Sequence, residues 1–375
     1  MKFTINTESL AKALGLLVRA IPVKTALPIL SNFLFDLKGE LLRVTASDGD
    51  LTMRAVLKTD STEGDGSGVI PAKLLIDLLK TLPSCPVTIE LQGDATFLFS
   101  WETGNSKMPA FDVKDYPEIK APGKGSSMIS ISQQSLADGI GKTVGAVSED
   151  SNTPAICGIL FDITPEGVTL VGTDSHRLMI YDFPDIRGGS DSSFILGKKA
   201  ALALKGALGK EGECQICFNG THARLVMGNY EIIGNLVAGK FPRYRSVIPT
   251  KNNNVLQVDR QALVSAIRRI GVCADKASTV VRFSLTFGRI DISAQDLGMC
   301  VSATERMDCD YDGDDIAIGF KAPLLADVLS SYGTESIELR LLDERHAVLV
   351  VPTDADRKDE HLQSILMPIM VAQKA

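Results

Sequence analysis

The sequence predicts an α+β protein built from three similar domains, each with two helices packed on antiparallel sheets. Three observations carry this: an internal repeat of about 125 residues, the same order of strand and helix patterns in each copy, and a length of 375 residues. Phe3-Thr4-Ile5 and Leu10 recur as Ile129-Ser130-Ile131 and Leu136, an offset of 126 that also carries Leu34-Phe35-Asp36 onto Leu160-Phe161-Asp162 and Lys73 onto Lys199. The third copy is fainter, with Leu136 mapping to Leu263 and then Phe161, Asp174 and Lys199 mapping to Phe283, Asp296 and Lys321 after a five-residue deletion. Repeats this long are domains, because a solenoid unit is only 20–45 residues.

Within the first copy, Lys2 to Asn6 alternates as a strand and Thr7 to Arg19 carries helical periodicity. Alternating strands follow at 30–37, 41–47 and 51–57, the first two joined by the turn Lys38-Gly39-Glu40. A second series opens at 68–71, continues through a helix over 72–82 that stops at Pro83, and ends in strands around 87–91 and 96–101. Two aperiodic polar stretches rich in Pro, Gly or Asn, Lys120 to Ser127 and Pro249 to Asn254, place domain joints near 124 and 251. The expected domains are therefore 1–124, 125–250 and 251–375.

Apolar content of 45% with 23% charged residues suits a globular chain, and no apolar run approaches the ~20 residues that span a bilayer. Met1-Lys2-Phe3 enters a strand pattern at once, leaving no room for a signal peptide's apolar stretch, so a cytoplasmic location is expected. The seven cysteines are an odd number, scattered as reduced thiols would be. The one C-x-x-C, Cys214 to Cys217, falls in an alternating run where residues three apart face opposite ways, which argues against a metal or redox role.

Charge is divided by element. The expected helices 7–19, 71–82, 132–147, 197–208, 259–272 and 321–331 hold twelve bases: Lys12, Arg19, Lys73, Lys80, Lys142, Lys198, Lys199, Lys205, Arg260, Arg268, Arg269 and Lys321. Only five acids share those segments, although the whole chain carries a net charge of −7. Basic helices within an otherwise acidic molecule fit a surface whose helices face phosphate.

Catalytic patterns fail on inspection. Gly139-Ile140-Gly141-Lys142-Thr143 lacks the first glycine of a phosphate loop, since position 136 is Leu136, and its Lys falls inside a helix. Asp174-Ser175-His176 has triad residue types, but adjacent residues do not face one another as a triad must. The four histidines show no pairing, and Asp308 to Asp315 reads as a solvated acidic loop. No catalytic residue, metal or cofactor is expected. Asp48, Asp174 and Asp296 hold one position in all three copies, whereas His176-Arg177-Leu178 is peculiar to the second. Function is expected where equivalent copies differ. The rival reading is a repeat-domain enzyme centred on Asp174, His176 and Arg177, which would need a nucleophile or metal cluster.

Met1-Lys2-Phe3, Leu27-Pro28-Ile29-Leu30, Gly172 to Leu178, Gly239-Lys240-Phe241-Pro242-Arg243-Tyr244-Arg245 and Met367-Pro368 occur in this order along the whole chain. In them the chain resembles the bacterial sliding clamps, the beta subunits of DNA polymerase III. The resemblance implies a homodimer closed head to tail into a ring around duplex DNA, a processivity factor that is not an enzyme and uses no cofactor. It implies a dimer interface at the Trp101 to Met108 edge, including Met108, and at Val272 and Cys273, with the twelve helix bases facing DNA. It also implies a groove for short linear peptides, of the Gln-Leu-x-Leu-Phe type, of the polymerase III catalytic subunit, the clamp loader, other polymerases and repair proteins. The groove's wall would be Ile156, Thr173, Ser175, His176, Arg177, Leu178, Pro242, Val247, Ile365, Leu366, Met367, Pro368 and Ile369. The chain departs from the family in having Ser175 where a Gly usually precedes the His, Ser246 after Arg245, Met370 at an often basic position, and a tail over 371–375.

Overall fold

A computed structural model describes residues 1–93, 95–117, 121–123, 126–353 and 361–371. The expected join near 124 lies outside these residues. The chain divides into two compact units, one of residues 1–137 and 199–237, the other of residues 138–198 and 238–375.

Six α-helices occur among the described residues: α1 (Thr7–Leu17), α2 (Ala72–Thr81), α3 (Gln133–Thr143), α4 (Lys198–Ala207), α5 (Arg260–Gly271) and α6 (Ala322–Ser330). Each falls inside an expected segment and is shorter; α1 and α3 end where the chain tightens into single 3-10 turns over Val18–Ala20 and Val144–Ala146. Arg19 therefore lies beyond α1, and Lys321 is the residue that caps α6. Caps define the starts: Asn6 accepts the Glu8 N–H before α1, and Asp259 accepts the Ala262 N–H before α5. The Gly139 to Thr143 run is the second half of α3. A β-carbon on Gly139 would come within 2.8 Å of the Phe183 ring, so close helix–strand packing accounts for that glycine.

In the first unit a five-stranded sheet runs Ser61–Glu63, Lys2–Asn6, Pro86–Gln92, Thr96–Trp101, Gly104–Pro109. Beside it an eight-stranded sheet runs Ser127–Ser132, Glu213–Phe218, His222–Met227, Tyr230–Asn235, Leu51–Lys58, Leu41–Ser47, Asn32–Lys38, Gly66–Pro71. Phe3, Phe35 and Phe97 are buried between the two sheets' residues, the Phe35 ring centroid 6.4 Å from that of Phe3 and 6.3 Å from that of Phe97. In the second unit the eight-stranded sheet runs Ser192–Gly197, Gly158–Ile163, Val168–Thr173, Arg177–Phe183, Leu362–Leu366, Val348–Pro352, Ser336–Leu341, Asn254–Asp259. A four-stranded sheet of Val301–Asp308, Arg289–Asp296, Val280–Thr286 and Ile316–Lys321 completes it. All recorded strand pairings are antiparallel, the first copy's Leu51–Lys58 pairing with the second copy's Tyr230–Asn235 and the second's Arg177–Phe183 with the third's Leu362–Leu366. Each eight-stranded sheet thus draws strands from two sequence copies.

The first of these junctions is locked by charge. Glu231 accepts from Arg54 Nη1 at 3.0 Å and from Arg224 Nε, and its side chain is only 18% exposed. Burial alone would raise its pKa, but the two guanidinium groups prevail and hold it below the ordinary 4.5. A depressed folded pKa stabilises above the unfolded value and loses that contribution as pH falls through the folded one. Glu231→Gln should therefore cost about 1–3 kcal/mol at pH 7. Urea unfolding at pH 7 and again well below pH 4.5 should show the gap to the parent protein closing; an equal gap at both would assign the loss to packing.

Candidate functional site: an apolar cavity in the second unit

The second unit holds a cavity of about 210 Å³ lined by Ile156, Thr173, Ser175, His176, Arg177, Leu178, Phe241, Pro242, Arg243, Tyr244, Val247, Ala347, Ile365 and Met367. One wall is the turn between the strands Val168–Thr173 and Arg177–Phe183. Asp174 Oδ1 accepts the N–H groups of His176 and Arg177 at 3.0 Å each. Thr173 Oγ1 donates to the Arg177 carbonyl at 2.7 Å and accepts the Ser175 N–H at 3.2 Å. Adjoining it is the end of strand Leu362–Leu366, where the Met367 N–H donates to the His176 carbonyl at 2.9 Å. Below them Tyr244 donates its hydroxyl to Asp162 Oδ2 at 2.7 Å, and Arg245 pairs with the same carboxylate at 2.9 Å. Burial, then Asp162, pushes the Tyr244 phenol well above its usual value, so it stays a neutral donor. Val247 is 57% exposed and Met367 is 46% exposed, so the rim offers apolar surface to an incoming group.

The first unit has an equivalent turn. Asp48 Oδ1 accepts the N–H groups of Asp50 and Leu51, and the Asn235 N–H donates to the Asp50 carbonyl at 2.9 Å, matching the Met367 to His176 bond. There Asn235 Nδ2 also donates to Asp50 Oδ1 at 2.8 Å, closing the junction with a polar pair. In the second unit the same backbone bond carries His176 and Met367, whose side chains make no hydrogen bond with each other. The same turn and backbone bond thus carry a polar side-chain pair in the first unit and, in the second, two residues that line an apolar cavity.

Three family models, the N-terminal, central and C-terminal domains of the DNA polymerase III beta subunit, match residues 1–120, 130–243 and 245–370. The chain belongs to the DNA polymerase III beta subunit family. It is 29% identical over 360 residues to the beta sliding clamp of Pseudomonas aeruginosa, covering 95% of this chain and 97% of that one. To the clamp of Caulobacter vibrioides it is 28% identical, covering 99% and 100%. A crystal structure of the Pseudomonas aeruginosa clamp bound to griselimycin superposes with a TM-score of 0.94 at 27% identity, covering 99% of this chain and 100% of that one. Membership gives the chain the role of a DNA sliding clamp in replication, and each of its three copies is a clamp domain.

For this clamp the structure places the residues expected at the groove in two groups. Ten of them line the cavity: Ile156, Thr173, Ser175, His176, Arg177, Leu178, Pro242, Val247, Ile365 and Met367. Leu366, Pro368 and Ile369 do not. Leu366 alternates with Ile365 along its strand and is 1% exposed in the core, and Ile369 forms a backbone bridge with Gly319. Phe241, Arg243, Tyr244 and Ala347 were not expected; the first three lie in the Gly239 to Arg245 run, while nothing in the sequence signals Ala347. Arg177 serves the protein itself. Its side chain is 9% exposed, and the guanidinium bonds Asp174 at 3.1 Å, the Gly145 carbonyl at 2.6 Å and Asp327 at 3.4 Å. Asp174 is committed to that pair and to the turn, so the grouping expected of an enzyme instead builds one wall of the cavity.

The helix bases also divide. Lys12, Lys73, Lys80 and Lys205 are exposed, with no acidic partner within 4.0 Å among the described residues. Lys198 pairs with Glu149, Lys199 with Asp48 and Arg269 with Glu305. Arg19 donates to the Leu202 carbonyl, Arg260 to the Thr334 carbonyl and Arg268 to Ser330, while Lys142 sits over the Tyr181 ring. Lys321 is half-buried. Of the expected interface residues, Val272 is 83% exposed at the end of α5 and Cys273 is half-buried. Met108 is 6% exposed and belongs to the strand Gly104–Pro109, which ends the five-stranded sheet. Cys214 is buried, its thiol pushed up to about 12 by burial, and Cys217 is half-buried on the other face of the strand.

Proposed function

We propose that two copies of this clamp close head to tail into a ring around duplex DNA, with the basic helices facing the phosphates. The observation that carries this is a pair of unmatched sheet edges: Gly104–Pro109 ends the five-stranded sheet and Val301–Asp308 ends the four-stranded one. Joined antiparallel, they would satisfy backbone groups that an edge leaves open. The exposed Val272 would then be covered by the partner copy. A ring holds DNA by enclosure, so its phosphate contacts can stay weak and independent of sequence, as sliding requires. It catalyses nothing and works in the cytoplasm. The cavity of the second unit takes short linear peptides of the polymerase III catalytic subunit, the clamp loader and repair proteins, apolar side chains filling it beside Met367.

The ring is tested on DNA with and without ends. Clamps placed on a nicked circular plasmid by a loader should remain through gel filtration at moderate salt and be lost once the plasmid is linearised. Val272→Glu should fold, sediment as a monomer and fail to remain on the circle. Equal retention on circular and linear DNA would rule out enclosure, and a dimeric Val272→Glu variant would move the interface elsewhere.

A further inference from the structure

Ser175 sits on the cavity wall with φ +72°, the left-handed region that glycine enters freely and other residues enter at a cost. The equivalent turn of the first unit has Gly49 there, with φ +99°. The hydroxyl is not what holds the Ser175 turn together. The turn is closed by Asp174 and Thr173, and the only hydrogen bond recorded for Ser175 among the described residues is its own N–H to Thr173. The residue is exposed, leaving Oγ free to donate and accept beside a cavity lined chiefly by apolar side chains.

Building on the peptide-site reading above, we propose that Ser175 is a specificity-determining residue of that site, its hydroxyl hydrogen-bonding an amide group of the bound peptide at the cavity's rim. An extended peptide that buries apolar side chains brings amides to the edge of the apolar region, and an amide desolvated there needs a partner. The turn accepts a disfavoured backbone conformation and gains a donor and acceptor on the wall of an apolar cavity. The first unit's junction, bridged by the Asp50–Asn235 hydrogen bond, has glycine at this place.

The test is calorimetry of the full-length protein with the peptide Gln-Leu-Asp-Leu-Phe, and with a second peptide whose Gln is replaced by Met. Ser175→Ala and Ser175→Gly should each weaken the first peptide about three- to tenfold. Ser175→Gly should melt no lower than the parent, because glycine accepts the backbone angle. If the amide is the Gln side chain, both variants should weaken the Gln peptide and leave the Met peptide unchanged; if it is a main-chain amide, both peptides should weaken equally. Unchanged affinity in both variants, with Met367→Ala still binding more weakly, would overturn the role of Ser175 and leave the site intact. Unchanged affinity in all three variants would remove the site as well.

Discussion

A chain ending at Leu366 is expected to fold and to lose its affinity for short linear peptides. The truncation removes Met367, the half-exposed lip of the cavity, and with it the N–H that holds the lip to His176. Strand Leu362–Leu366 survives, and its pairings with Arg177–Phe183 and Val348–Pro352 keep the sheet continuous. A cut before Ile365 would be a poor experiment, since Ile365 and Leu366 are 3% and 1% exposed and their loss would empty the core. Central apolar anchors of an interface typically contribute 2 kcal/mol or more, so peptide affinity should fall at least thirtyfold, a loss on the order of 2 kcal/mol. Calorimetry with the Gln-Leu-Asp-Leu-Phe peptide measures it, and circular dichroism establishes the fold. A folded truncation that binds like the full chain would place the peptide elsewhere.

That distinction between Ile365 and Leu366 was within reach of the sequence. Residues 365–369 read as one apolar run, but strand alternation already sends neighbours to opposite faces. The repeat made the architecture legible for a related reason: a pattern written three times averages out local ambiguity, and Lys2–Asn6, Leu41–Ser47 and Thr96–Trp101 match their expected bounds. The strand Gly104–Pro109 was missed as a separate element because its sequence, GNSKMP, has neither alternation nor β-branched residues; pairing with Thr96–Trp101 makes it a strand. Charge pairing was illegible in principle. Lys199 meets Asp48 across 151 residues and Lys198 meets Glu149 across 49, so periodicity could place these lysines on helices but not name their partners. Arg177 has the same history, with partners at Asp174, Gly145 and Asp327 that only the packed second unit brings together.

This pairing decides which cations to remove in a test of DNA binding. Lys12 on α1, Lys73 and Lys80 on α2 and Lys205 on α4 all belong to the first unit, are exposed, and lack acidic neighbours within 4.0 Å among the described residues. Their charge is not already balanced, so phosphates approaching these helices displace nothing but solvent and counterions. Replacing all four with Ala should leave stability nearly unchanged, because exposed side chains without partners contribute little to folding. It should lower the slope of log affinity against log salt by up to about 3–4, each neutralised phosphate contributing roughly 0.9. Lys198→Ala with Lys199→Ala should change the slope less per charge, since each first has to leave Glu149 or Asp48. Salt titrations by fluorescence anisotropy on a short linear duplex, repeated with a second duplex of different base composition, measure both effects. The fourfold variant should lose the same factor on either duplex, because phosphate contacts carry no sequence information. An unchanged slope would mean that these helices do not face the DNA, and a loss confined to one duplex would contradict sequence-independent binding.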